Sequence, residues 1–213
     1  MAEEIINGNE PMVEDTTKVL IGLRKKSDDT LLAVTKEQYS GYDKRSYALD
    51  GIIIRDEDKD VNLLFSAEES EAVFGEGPAD IPETDKRRKN IPANPQFTEL
   101  DGYMRTQWQV NNHPDTHESG CAICEAVKYG WLPSNGEMAW LVEKMEEFNE
   151  AAEVCGADKL SSDSYWCSTQ YSPDYMWCYD AQAKSFIFWK SKTTEMGIRP
   201  VKSAEGYAEL LTE

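Results

Sequence analysis

Short apolar runs broken by charged turns fill the first third of the chain. Lys18 to Leu23 is apolar, and Leu31 to Thr35 follows the turn Lys25-Lys26-Ser27-Asp28-Asp29. Runs of this length between turn residues predict two strands. Gly51-Ile52-Ile53-Ile54 and Val61-Asn62-Leu63-Leu64-Phe65 flank the charged stretch Arg55 to Asp60, which predicts a β-hairpin with a charged loop. Residues 1–17 are polar and acidic without period and read as an arm that orders against a partner. Residues 18–74 thus form a β-rich region. In the stretch 75–100, Pro78, Pro82, Pro92 and Pro95 leave few apolar anchors and predict a linker. The run Lys86-Arg87-Arg88-Lys89 inside it is solvated or meets an acidic neighbour.

The pattern changes after residue 100. All six tryptophans lie there, at 108, 131, 140, 166, 177 and 189. Glu118 to Lys128 reads as a short helix. Ser134-Asn135-Gly136-Glu137 is a capping box after Pro133, and the helix it opens places Met138, Leu141, Val142, Met145 and Phe148 on one stripe. Past Cys155-Gly156 the period shortens to that of strands: Tyr165 to Thr169, Tyr175 to Asp180, Ser185 to Trp189 and Gly197 to Lys202. A helix over 134–150 packed on a small antiparallel sheet containing 165–169 and 197–202 is expected.

Charge removes several function classes. Forty acidic residues oppose twenty-two basic ones, a net charge of −18, which argues against nucleic-acid and anionic-membrane partners. No run approaches the length of a membrane helix. The N-terminus has neither the basic nor the apolar region of a secretion signal, so reduced thiols are expected for the five cysteines.

Candidate chemistry is sparse. Asp56, Asp58 and Asp60 imitate the start of a calcium loop, but Val61 and Ala67 stand where the turn glycine and the bidentate glutamate belong. His113, His117, Cys121 and Cys124 are zinc-ligand types, yet their spacing is not that of a standard finger. Cys167 and Cys178 are placed to oppose each other on adjacent strands, with no histidine near to activate a thiol. No catalytic residue, metal or cofactor is expected. Trp131 and Trp166 read as core, and Arg199 as a structural ion-pair or carbonyl-binding residue.

Gly130-Trp131-Leu132-Pro133-Ser134, Tyr165-Trp166-Cys167-Ser168-Thr169 and Ile198-Arg199-Pro200-Val201 occur in that order around the capped helix and the aromatic hairpin. This resembles the C-type-lectin-like domains of bacterial and phage proteins with a "GWRLPT…E…YWSST…W…RPV" pattern. Those domains are related in fold to formylglycine-generating enzymes and are similar to the variable proteins of diversity-generating retroelements. The resemblance covers about half the chain. It departs from the pattern where Trp131 runs straight into Leu132 without the usual arginine, and where Cys167 replaces the first serine.

The resemblance implies an α+β fold, with a C-type-lectin-like domain over 101–213 in which two helices lie on small antiparallel sheets. It implies a ligand surface on the hairpin: Gln170, Tyr171, Asp174, Tyr175, Trp177, Tyr179, Trp189, Lys190, Lys192 and Thr194. Strand alternation means that not all of these face outward. The expected function is non-enzymatic binding or adhesion by a phage virion protein of the head-fibre or tail-associated kind. Its expected partners are a bacterial surface glycan or protein, other virion proteins and further copies of itself. Its expected location is the virion, with the host cytoplasm during assembly. The alternatives are a purely structural virion protein and an enzyme of the formylglycine-generating type.

Overall fold

In the computed structural model, residues 15–75, 100–112, 120–172, 175–190 and 194–210 are described. The apolar runs near the N-terminus become β1 (Lys18–Lys25) and β2 (Leu31–Val34), joined by a turn in which Asp29 takes a positive φ of 56°. Thr35 then opens the short helix α1 (Lys36–Tyr39) with a reciprocal capping box to Gln38. The expected charged-loop hairpin is β3 (Tyr47–Asp56) with β4 (Val61–Ser66), and β5 (Ser70–Val73) follows.

Along β1, β3 and β4 the apolar positions occupy both faces of the sheet. Ile21, Ile52, Ile54, Leu63 and Phe65 enter a central core, while Leu20, Ile53 and Leu64 enter a smaller one with Ala204 and Tyr207. A sheet covered on both faces reads as continuous rather than alternating apolar runs. That is the reason for Ile52-Ile53-Ile54.

The later elements are α2 (Gly102–Asn112), α3 (Ala122–Ala126), α4 (Asn135–Glu143), α5 (Met145–Cys155), β6 (Ser164–Ser172), β7 (Tyr175–Asp180), β8 (Ser185–Lys190), β9 (Glu195–Ile198), β10 (Val201–Ser203) and β11 (Ala208–Glu209). The fold is mixed α and β. Two sheets run β10-β4-β3-β1-β2-β11 and β5-β9-β6-β7-β8. Met138 and Leu141 of α4 and Phe148, Ala151 and Ala152 of α5 join the central core from the helical side, and Tyr165, Cys167, Trp177 and Tyr179 join it from the second sheet.

The structure differs from expectation at three points. The helix over 134–150 is two helices, interrupted at Lys144 with φ −104° and ψ 23°; its ammonium pairs with Asp15 and lies 3.6 Å from Glu147. The strand over 197–202 is also two. Pro200 has no N–H to give a ladder, and its carbonyl accepts from Ser66 N at 2.9 Å, so the chain leaves one sheet as β9 and enters the other as β10. Helix α2 was not foreseen. Its buried side chains are Arg105, Thr106 and Gln109, so it lacks the apolar stripe by which a helix is read.

The segments before and after the Pro-rich stretch contribute strands to the same two sheets. β5 pairs with β9, β10 with β4, and β11 with β2, so both sheets draw on both segments. Most of the expected linker, 76–99, and most of the expected arm, 1–14, lie outside the described residues.

The three sequence motifs meet in space. Trp131 N donates to Val201 O at 2.8 Å and Val201 N to Trp131 O at 2.9 Å. Ser168 N donates to Pro133 O at 2.8 Å, and Asn135 N to Thr169 Oγ1 at 3.0 Å. The Ser134–Glu137 box is formed, with Glu137 N donating to Ser134 Oγ and Ser134 N to Glu137 Oε2 at 2.8 Å.

Candidate functional site: the aromatic hairpin

β7 and β8 pair antiparallel with Trp177 opposite Phe188 and Tyr179 opposite Phe186. Period-2 alternation puts these four on one face and Met176, Cys178 and Ile187 on the other. The second face packs with the fully buried Trp166 and with Ile123 and Ala126 of α3. The first face is graded. Tyr179 and Phe186 meet edge to face at 5.3 Å and lie against the central core, with Tyr179 only 5% exposed. Trp177 is 9% exposed. Beyond it the face opens.

The end of β6 completes the open part. Its register with β7 shifts between Trp166 and Gln170 and again before Ser172, and these irregularities bring Tyr171 over β8. The Tyr171 ring stacks on Phe188 at 3.9 Å with the planes 2° apart. Trp177 meets both rings in T-shaped contacts, at 5.5 and 5.9 Å, and Tyr175 meets Phe188 in the same way at 5.9 Å. Tyr171 is 51% and Phe188 43% exposed. Four rings joined through Phe188 lose little further conformational freedom when a ligand covers them, which favours binding.

Of the expected ligand residues, the structure therefore brings Tyr171, Tyr175 and Trp177 together. Tyr179 packs inward, and burial raises its phenol pKa. Gln170 and Thr194 are half-buried and engaged in contacts of their own. Asp174 and Lys192 lie outside the described residues, as do the side chains of Trp189 and Lys190. Phe188 was missing from the expected set. Its signal was its position two residues from Phe186 on a strand facing Trp177.

The cysteine pair is corrected by register. Cys178 is opposite Trp166, not Cys167, so the two thiols fall on opposite faces of the sheet, Cys167 in the central core and Cys178 with Trp166. Burial raises the Cys167 thiol well above its ordinary value and pushes that of Cys178 up to about 12. Such burial favours the thiol over the thiolate at both positions. Cys121 caps α3, accepting from Cys124 N at 3.2 Å, and burial first of all pushes it up to about 12. The two histidines of that cluster lie outside the described residues, and among the described residues no metal-ligating group of three gathers.

Asp56 is fully buried and spends its carboxylate on Thr16, Thr17 and the amides of Asp58 and Lys59. Trp131 is half-buried rather than core, its ring edge-on to Tyr103 and its Nε1 donating to Glu137 at 3.1 Å. Arg199 holds both kinds of contact expected of it. It pairs with Glu69 at 2.8 Å and donates to the carbonyls of Ser66, Asp158 and Lys159.

No family model and no curated protein matches the chain. Among solved structures, a crystal structure of a fimbrial protein from Bacteroides ovatus is similar over 65% of this chain and 35% of that one, with 15% identity and a TM-score of 0.46. Among the described residues, no helix is long and apolar enough to cross a membrane.

Proposed function

We propose that the chain is a non-enzymatic binding module whose second half is a C-type-lectin-like domain. It contacts a bacterial surface glycan or protein through the open end of the aromatic hairpin. It acts as a phage virion component, assembled in the host cytoplasm beside other virion proteins and further copies of itself. The observation that carries the binding reading is the stacked, half-exposed Tyr171–Phe188 pair braced by Trp177. The meeting of the three motifs through the Trp131–Val201 and Pro133–Ser168 hydrogen bonds supports the lectin-like reading.

The test pairs stability with cell binding on full-length variants. Tyr171→Ala and Phe188→Ala should leave the melting temperature nearly unchanged and reduce binding by about 2 kcal/mol or more, the usual cost of truncating a central aromatic anchor. Tyr179→Ala should unfold the protein. Stable Tyr171 and Phe188 variants that bind normally would remove this surface from the reading. A second reading, a structural protein meeting its own copies, is favoured by the position of β8 at the sheet edge. Light scattering on the same two variants tests it, since loss of an oligomer without loss of cell binding selects it.

A further inference from the structure

A second surface, built from the first sheet, has a different chemistry. β1, the start of β3 and the loop after α1 enclose a cleft of about 310 Å³ lined by Leu23, Tyr39, Tyr42, Tyr47, Lys26 and Lys44. That size is at the lower end for small-ligand sites. The walls are fixed. Tyr39 is 7% exposed and donates its hydroxyl to Cys155 O at 3.2 Å. Tyr42 and Tyr47 meet edge to face at 5.1 Å. Lys26 N donates to Ser46 O at 2.9 Å, and Lys26 Nζ to Lys44 O at 3.3 Å, tying the β1 turn to the loop.

The charge is the reverse of the protein's average. Lys44 Nζ stands 5.6 Å from the Tyr39 ring centroid, and among the described residues neither Lys26 nor Lys44 has a carboxylate partner. The nearby carboxylates are committed elsewhere: Asp28 to Lys25 at 2.7 Å, and Asp43 to the amide of Arg45 and the hydroxyl of Ser46. The overall charge of −18 does not cancel the two lysines. At physiological salt the Debye length is about 8 Å, so local charge governs what enters. The Tyr42 and Tyr47 hydroxyls also have no hydrogen-bond partner among the described residues.

We propose that this cleft binds an acidic pyranose, a sugar ring that carries a carboxylate. The C–H face of the ring packs on the tyrosines, the carboxylate is held by Lys44 and Lys26, and ring hydroxyls meet the phenols of Tyr42 and Tyr47. Flat aromatic walls suit a ring with one apolar face, and the paired ammonium groups select the charged sugar over its neutral twin. The proposal stands apart from the hairpin reading and does not depend on it.

The test is a titration of the ¹⁵N-labelled full chain with methyl β-D-glucuronide and with methyl β-D-glucoside, which differ only in the carboxylate. The expected result is saturable shifts at the amides of Lys26 and of Tyr39 to Ala48, with the glucuronide bound at least ten-fold more tightly and more weakly as salt rises. Lys44→Gln and Lys26→Gln, both at exposed positions, should each lower glucuronide affinity at least ten-fold while the spectrum stays dispersed. Tyr171→Ala should leave it unchanged, which separates this site from the hairpin. Equal affinity for the two sugars, binding of neither, or full affinity in both lysine variants would overturn the proposal.

Discussion

Replacing Arg199 with methionine removes a buried, multiply bonded charge and keeps its aliphatic bulk. The guanidinium is 0% exposed. Its Nη1 donates to Ser66 O at 3.0 Å; its Nη2 reaches Glu69 Oε2 at 2.8 Å and the carbonyls of Asp158 and Lys159 at 3.1 Å. The Phe148 ring lies 5.5 Å away. Glu69, with its side chain 7% exposed, also accepts from Ser161, Ser162 and Tyr165. Breaking a buried pair by deleting one partner costs about 3–5 kcal/mol, because the other charge stays buried. Against a total stability of about 5–15 kcal/mol, that is a large share. Urea unfolding followed by tryptophan fluorescence should therefore show a much lower midpoint for Arg199→Met at an unchanged m-value.

The double variant Arg199→Met with Glu69→Gln should recover part of that loss, since it no longer strands a charge. pH adds an independent reading. Burial pushes the Glu69 carboxyl up, but the Ser162 hydrogen bonds, the Arg199 charge and the Tyr165 hydroxyl outweigh it, and the net shift is below the ordinary 4.5. A depressed folded pKa contributes stability that is present above 4.5 and lost as pH falls through the lower folded value. That acid-side loss should shrink in Arg199→Met. A cost under about 1 kcal/mol, well below the range expected for a severed buried pair, with an unaltered acid limb, would refute the reasoning.

Other outcomes follow from single contacts. Burial raises Glu137 from 4.5 to about 7, against the hydrogen bonds from Ser134, Trp131 and Gly102. Here the sign reverses: the folded state holds the proton more tightly, so stability falls as pH rises from about 4.5 to 7, by about 3 kcal/mol. Thermal melts of Glu137→Gln should lack that decline. At Gly130 an added Cβ would lie 2.2 Å from Val201 O, so Gly130→Ala must open the Trp131–Val201 bridge. A loss of about 2–3 kcal/mol in chemical denaturation is expected, at the upper end for overpacking.

Much of the local structure was legible in the order of residues. Strands β1 and β2 with their turn, the β3–β4 hairpin and the Ser134–Glu137 box all follow from turns, caps and short apolar runs. These are short-range effects, decided within a few residues. The site was legible only as a region. Period 2 puts Trp177 and Tyr179 on one face, but the central core covers Tyr179 and leaves Tyr171 and Phe188 open.

The sequence by itself determined the turns, the Ser134–Glu137 cap and which side chains share a face, because backbone sterics, capping and side-chain period act locally. Only the tertiary structure decided which faces are closed and which strands distant in sequence are neighbours. A one-residue register offset sends Cys167 and Cys178 to opposite sides of their sheet. A proline beside a buried arginine divides the expected strand between two sheets, and β10 and β11 join strands more than a hundred residues earlier. Those pairings are selected by the apolar area and polar groups they bury together, a sum over distant segments that no local window contains.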